Sequence, residues 1–369
     1  MKLYFVAGER SGDLHGGNLI KSLRGKVDGL QCRGFGGDQM MQAGMHVVVH
    51  YRELAFMGFA EVLFNLATIS RMLKLCKQDL LEFKPDAVVL IDYAGFNLRI
   101  AKYAKQQGIK VLWYISPKVW AWNQGRALKL KACIDRMFVI LPFEKEFFRK
   151  YEWEVDYVGN PVLDAVRSHN QDTDFFKENH LAPDNPVIAL LPGSRKQEVK
   201  LIVPVMADVA GRFPDAQFVV ASVDNLPPAL YEPLRKLANA KFVTSGTYDL
   251  LGHAHAAIVT SGTATLETAL FKVPQVVVYR ASPISYLVAK SVIRVPFISL
   301  VNLLAGREVV KELIQREANP SALSSELKKL LHDKSYRLRI TEGYNEIIQR
   351  LDTGSASENL ANRILDYLS

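Results

Sequence analysis

Short runs of consecutive apolar residues recur along the chain, separated by longer stretches in which apolar positions return every three or four residues. The runs fall at 3–7, 47–50, 87–92, 110–115, 137–141, 187–191, 217–221, 256–259 and 275–279. A strand that is apolar throughout is covered on both faces. Helical spacing between such strands therefore predicts parallel sheets with helices on either side. The rhythm breaks at 160–186, where Gly159-Asn160-Pro161 and the polar run from His169 to Pro186 intervene. The pattern thus predicts an α/β chain of two domains facing each other across a cleft. Ligands of such sheets bind beyond the carboxyl ends of the strands, which singles out the residues just after each run.

The run at 256–259 ends in Thr260-Ser261-Gly262-Thr263-Ala264, and an amphipathic helix begins at once with Glu267 about one turn in. The first N–H groups of a helix have no partner within it and carry the positive end of its dipole, so this start suits a phosphate, and small residues let the anion approach the backbone. Glu267 then stands where a carboxylate can accept from a sugar diol beside that phosphate. Ser261 or Thr263 acting as an ordinary helix cap accounts for the same residues. After the run at 187–191 comes Pro192-Gly193-Ser194-Arg195, a turn that offers backbone donors and a fixed cation suited to a diphosphate. Paired in one sheet, the two turns predict a two-sided clamp.

In the first half, Gly8-Glu9-Arg10-Ser11-Gly12-Asp13-Leu14-His15-Gly16-Gly17 follows the first strand. Its spacing is not that of a dinucleotide fingerprint. Gly34-Phe35-Gly36-Gly37-Asp38 reads as a flexible turn. Asp92 closes the strand at 87–92, where a carboxylate can take a proton from a substrate hydroxyl or simply cap a loop. Beyond the next strand, Pro117 stops the extended run, and Trp120 and Trp122 offer faces for a sugar or acyl surface, or filling for the core.

Length and composition set the outer bounds. A chain of 369 residues with 49% hydrophobic and 23% charged residues is long enough for two cores and ordinary for a globular protein. Cys32, Cys76 and Cys133 are scattered, which supports neither a disulfide framework nor a zinc site and agrees with a reducing compartment. No carboxylate or histidine cluster has ligand spacing, and His253 and His255, two apart, fall on different faces of a helix and prove nothing in a loop, so no metal is expected. No cofactor is expected either. The apolar start at 3–7 is too short for a signal peptide, and no apolar stretch reaches the length of a membrane span, so membrane contact is expected to be peripheral. Residues 99–136 hold nine Lys or Arg against the single Asp135, equal to the whole net charge of +8. Such a surface attracts phospholipid headgroups, nucleic acid or phosphorylated substrates, or is a solvated helix face. Residues 56–83 join Phe56, Phe59 and Phe64 to a helical repeat, Leu66, Ile69, Leu73, Cys76, Leu80 and Phe83, beside a stripe of Arg71, Lys74 and Lys77. This fits a core helix, or a lipid-facing one.

Taken together, these stretches resemble the lipid-A-disaccharide synthases. The resemblance runs nearly end to end through Ala7-Gly8-Glu9 with Ser11-Gly12-Asp13-Leu14-His15-Gly16, Met57-Gly58 with Glu61-Val62-Leu63, Phe96-Asn97-Leu98, Tyr114-Ile115-Ser116-Pro117 with Val119-Trp120-Ala121-Trp122, Leu141-Pro142-Phe143-Glu144, Val158-Gly159-Asn160-Pro161, Leu191-Pro192-Gly193-Ser194-Arg195, Ser261-Gly262-Thr263-Ala264-Thr265-Leu266-Glu267 and Asn302-Leu303-Leu304-Ala305-Gly306-Arg307-Glu308. It implies a GT-B glycosyltransferase with two Rossmann-like domains whose parallel sheets face a central cleft. The expected division is 1–165 for the acceptor and membrane side, 186–345 for the UDP-sugar, and a last helix at 346–369 returning to the first domain. The implied reaction joins UDP-2,3-diacylglucosamine to lipid X, a diacylglucosamine 1-phosphate, at the cytoplasmic face of the bacterial inner membrane, and a homodimer is compatible with it. Arg195 is implied to stabilise the leaving UDP, with Ser194, Ser261, Gly262, Thr263, Ala264, Glu267 and Asn302 around the donor and Glu9, Ser11, Gly12, Asp13 and Glu61 on the acceptor side. One departure stands out. The family frequently shows Asp-x-Pro-Asp-Phe-Asn after the fourth strand, whereas Ala94 and Gly95 replace the Pro-Asp pair here. The general base is then expected at Asp92, with Glu9, Asp13 and Glu61 as alternatives. Other readings are a different UDP-sugar enzyme of the same fold, such as a glycolipid synthase or a UDP-sugar epimerase, and a nucleic-acid-binding protein using the basic segment, which carries no recognised nucleic-acid motif.

Overall fold

In the computed structural model, which describes residues 1–54, 66–244 and 246–369, strands and helices alternate along two units. The first unit is Met1–Pro161 with Asp352–Ser369, and the second is Val162–Leu351. The first holds β1 (Lys2–Ala7), β2 (Gln31–Gly36), β3 (His46–His50), β4 (Ala87–Ile91), β5 (Lys110–Tyr114), β6 (Arg136–Val139) and β7 (Asp156–Tyr157), in the sheet order β3-β2-β1-β4-β5-β6-β7. The second holds β8 (Val187–Leu191), β9 (Gln217–Ser222), β10 (Ala240–Thr244), β11 (Ala256–Thr260), β12 (Gln275–Tyr279) and β13 (Glu312–Ile314), in the order β10-β9-β8-β11-β12-β13. Every pairing is parallel. Parallel strands require crossovers, and helices supply them, which is why β1, β4, β8 and β11 are apolar and buried almost from end to end.

All nine apolar runs are strands. Among the described residues four further strands lack that signature. β2 is the instructive one, because Gly34, Phe35 and Gly36 belong to it rather than to a flexible turn. Gly34 takes φ +141°, and a side chain there would collide with the Phe5 carbonyl of β1, so glycine is what lets the two strands pair. β7 is only two residues long, and β10 and β13 are edge strands.

The chain crosses between units twice. Helix Lys334–Leu351 belongs to the second unit, and helix Ala356–Leu368 returns to the first, where Leu360, Ala361 and Ile364 join the core built on β1, β4 and β5. Asn359 Nδ2 donates to the Val158 carbonyl at 3.2 Å and ties that helix down. Helix Leu66–Phe83 packs Ile69, Cys76 and Leu80 into the interior, and its buried Asp79 takes a bidentate pair from Arg33 at 2.7 to 3.1 Å, so this part of the amphipathic stretch is a core helix. Phe56, Met57, Gly58, Phe59, Glu61 and Phe64 lie outside the described residues.

Candidate functional site

In the second unit the chain moves outward from β8 through β9 to β10, then returns to β11 and proceeds to the opposite edge through β12 and β13. β8 and β11 are therefore neighbours, with Val259 opposite Leu191, and the loops that follow them diverge. A crevice opens at such a reversal, and two helices start on its rim. After β8, Arg195 precedes helix Lys196–Ala210, and no side chain caps that start. Gly193 holds φ +99°, and a Cβ there would sit 2.8 Å from Glu198 Oε2, so the turn requires glycine. Ser194 and Arg195 are exposed. The Arg195 side chain is 80% exposed, and its Nη1 donates to Glu198 Oε1 at 2.8 Å.

After β11, the Ser261 N–H continues the ladder to the Val278 carbonyl at 3.0 Å, and its Oγ donates to the Ile298 carbonyl at 2.8 Å. Ser261 therefore anchors the loop rather than capping the helix. Helix Thr263–Leu270 also starts without a side-chain cap. Thr265 folds back on Gly262, its Oγ1 donating to that carbonyl at 2.8 Å, and the Thr263 and Ala264 N–H groups are left at the helix start with no acceptor inside the helix. Thr260 Oγ1, at the end of β11, is buried without a hydrogen-bond partner, an orphan polar atom between the two loops. Two helix starts and an arginine thus follow neighbouring strands at the same end of one sheet, an arrangement suited to an anion through backbone donors, dipole and charge together.

Glu267 stands one turn into the second of these helices. Tyr248 Oη donates to its Oε1 at 3.2 Å, and burial raises its carboxyl above the ordinary range while that hydrogen bond opposes the rise. The Tyr248 ring is packed between His169, edge-on at 5.5 Å, and Phe271 at 5.3 Å, and His169 Nε2 meets Asp249 Oδ1 at 2.9 Å. This buttress left no signal in the sequence, since Tyr248 and Glu267 lie nineteen positions apart on different helices.

Asn302 requires a correction. The resemblance places it around the donor, but it is fully buried with all four hydrogen-bonding positions occupied. Its Nδ2 donates to the Val310 carbonyl and Glu312 Oε1, both at 2.9 Å, and its Oδ1 accepts from the N–H groups of Val309 at 2.8 Å and Val310 at 3.0 Å. Glu312 also accepts from the Ile298 N–H at 2.9 Å and the Ser299 N–H at 3.0 Å. Asn302 is thus linked through Glu312 to the segment whose Ile298 carbonyl accepts from Ser261.

The first unit repeats the topology, with its reversal between β1 and β4. Glu9 precedes helix Arg10–Arg24, whose start has no side-chain cap, and Ser11 is exposed in its first turn. Gly12 is buried where the helix crosses β1 and β4. Asp13 needs a second correction. Its buried carboxylate accepts from the N–H groups of Gly37 at 2.7 Å, Gln39 at 3.0 Å and Met40 at 3.1 Å, so it caps the helix Asp38–Gln42 and is not available as a base. His15 is no substitute, because burial pushes its imidazole down to about 4.

Beside the exposed Glu9, Asp92 is the carboxylate left at the reversal among the described residues. It and Tyr93 take the left-handed conformation, at φ +45° and +47°, directly after β4. Asn97 Nδ2 clamps that bend by donating to the carbonyls of Val6, Ile91 and Asp92 at 3.3, 3.2 and 2.8 Å. Backbone held in this region is strained and persists only where its surroundings impose it. Burial, with the Glu9 carboxylate second, pushes the Asp92 carboxyl up to about 6, against Lys118 and the Tyr93 N–H. Gly95 sits exposed in the first turn of helix Ala94–Gln106, with open space around its Cα. Trp120 is buried and donates to Glu144 at 3.1 Å, and Glu144 also accepts from Ser116 Oγ and from the N–H groups of Ile140 and Leu141 at 3.2 and 3.0 Å. Two stretches of the sequence thus meet around one buried carboxylate, pushed by burial to about 7, and only Trp122, 49% exposed, is left to face a ligand. Among the described residues no cluster of His, Cys, Asp or Glu has the makings of a metal site, and no helix is long and apolar enough to cross a membrane.

Comparison with known proteins supplies the remaining constraint. The family model for lipid-A-disaccharide synthetase matches residues 3–363. The chain is 37% identical over 363 residues to the lipid-A-disaccharide synthase of Coxiella burnetii (strain CbuG_Q212), covering 97% of this chain and 96% of that one. It is 36% identical over 373 residues to that of Geobacter sulfurreducens, covering 100% and 97%. Among solved structures, a UDP-GlcNAc 2-epimerase from Neisseria meningitidis bound to UDP-GlcNAc superposes with TM-score 0.70 at 16% identity, over 99% of this chain and 100% of that one. The glycotransferase of kitacinnamycin superposes with TM-score 0.70 at 14% identity, over 100% and 99%. At these identities the structural likeness shows the shared two-sheet fold alone.

Proposed function

The chain belongs to the lipid-A-disaccharide synthase family and is a glycosyltransferase of lipid A biosynthesis, and from that premise we propose which substrates it joins and which residues act on them. The donor is UDP-2,3-diacylglucosamine and the acceptor lipid X. The acceptor's 6-hydroxyl oxygen bonds to the donor's anomeric carbon with inversion, the bond from that carbon to the diphosphate breaks, the hydroxyl proton passes to Asp92, and UDP leaves. The observation that carries this reading is the crevice between β8 and β11, where Arg195 and the helix starts at Lys196 and Thr263 supply positive potential. Negative charge grows on the diphosphate as the bond breaks, so donors fixed in advance lower the barrier. Glu267, held by Tyr248, accepts from the ribose. Asp92 serves as the base because a carboxyl near 6 is largely ionised at pH 7 yet basic enough to take a proton.

Both substrates are lipids, so the enzyme works at a membrane surface, the cytoplasmic face of the inner membrane. The basic segment 99–136 and the stretch that includes Phe56, Phe59 and Phe64 supply the contact. The experiment that tests the reading is incubation with UDP-diacylglucosamine alone and then with lipid X added. The expected result is UDP release and a disaccharide 1-phosphate only with both lipids. Turnover of the UDP-sugar without the second lipid would refute it.

A further inference from the structure

The second unit carries an apolar element that the reaction above does not use. β12 ends at Tyr279, and after Arg280 and Ala281 the chain forms helix Pro283–Val292, capped by Ser282, whose Oγ accepts from the Ser285 N–H at 3.2 Å. β12 is the neighbour of β11 on the side away from β8, so the helix follows the same carboxyl end of the sheet as the anion-binding loops. A helix on the surface of a soluble domain turns charge outward. This one turns out Leu287, 65% exposed, with Val292 and Ile293 at its end 39% and 41% exposed.

The charge around it has one sign. From Ala281 through Arg307 the sequence contains no Asp or Glu, and Lys290 and Arg294 are exposed beside the apolar residues. Apolar side chains interleaved with cations and no acid complement an anionic lipid surface, where the apolar groups enter the headgroup boundary and the cations meet phosphates. We propose that residues 283–294 are an interfacial element that seats the second unit on an anionic bilayer, beside the crevice that holds the donor's diphosphate. A donor with two acyl chains then needs no full extraction from the membrane to reach the crevice. That benefit rests on the lipid-linked donor proposed above; the membrane contact does not.

The native cysteines Cys32, Cys76 and Cys133 are all buried, so a Leu287→Cys variant accepts a single environment-sensitive dye. The labelled full chain is mixed, without substrate, with vesicles of phosphatidylcholine alone or of equimolar phosphatidylglycerol and phosphatidylcholine. The expected result is a blue shift and severalfold brighter emission on the anionic vesicles only, with affinity falling about tenfold or more when Lys290→Gln and Arg294→Gln are added. Three results would each overturn the inference: co-flotation with anionic vesicles while the dye stays in water, no flotation at all, or a shift without vesicles that grows with protein concentration, which makes a second copy the occupant. Disaccharide synthesis is measured on the same preparation. A synthase that is active while its dye stays in water overturns this inference alone, and a dye in lipid without disaccharide synthesis overturns the substrate reading alone.

Discussion

Replacing Asp92 with Asn removes the proton acceptor while keeping size and hydrogen-bonding reach, and the surroundings of the wild-type carboxyl set how its loss should read. Its pKa of about 6 comes from burial first and the Glu9 charge second, with Lys118 and the Tyr93 N–H opposing. A base acts when ionised, so kcat/KM should fall as pH falls through about 6. At pH 5 only about a tenth of the plateau should remain, whereas a carboxyl at its ordinary value would keep about nine-tenths. Asp92→Asn should lower turnover by roughly 10²- to 10⁴-fold and leave UDP affinity unchanged. The neighbours sharpen the test. Glu9→Gln removes a like charge, which lowers the Asp92 pKa and moves the acid limb to lower pH; Lys118→Gln removes an opposite charge and moves the limb up. The assay is disaccharide formation in detergent micelles of fixed composition between pH 4.5 and 8. Near wild-type turnover in Asp92→Asn, or an acid limb that stays put in both neighbours, would refute the assignment.

Arg195→Ala should cost about 10²- to 10³-fold in kcat with the thermal transition unmoved, since the side chain is exposed; a turnover assay with a melting curve on the same sample decides it. Tyr248→Phe should weaken UDP about two- to tenfold by releasing Glu267, yet leave the affinity for 2′,3′-dideoxy-UDP unchanged, as calorimetry would show. Glu144→Ala strands the Trp120 indole N–H and the Ile140 and Leu141 N–H groups in the interior, at about 1–3 kcal/mol per group. The first unit's thermal transition should drop by several degrees while UDP binding by the second unit persists.

How far the fold could be read in advance follows from where each signal lies. β1, β4, β8 and β11 are central, so continuous apolar runs betray them, and their parallel pairing places the residues after them at the topological reversals. That is why Arg195, Ser261 to Ala264 and Asp92 could be picked out one loop at a time. β2 was hidden because its glycines look like a turn until Phe5 is placed beside Gly34. The roles that went astray depend on partners distant in sequence. Asp13 looks free until Gly37, Gln39 and Met40 close on it, and Asn302 looks like a ligand contact until Val309, Val310 and Glu312 saturate it. Motif membership marked both as important without saying whether they touch substrate or hold the residues that do. The same limit applied to Trp120, whose indole N–H turned out to serve Glu144.

The central claim is that the crevice between β8 and β11 binds a diphosphate through Arg195 and two uncapped helix starts. Titration calorimetry of UDP against uridine tests it most directly, because the two ligands share base and ribose and differ only in the group the crevice is held to bind. UDP should bind at least about a hundredfold tighter than uridine at low salt, and the gap should shrink by roughly tenfold in Arg195→Ala. Uridine binding as tightly as UDP, or a gap that Arg195→Ala leaves intact, would contradict it.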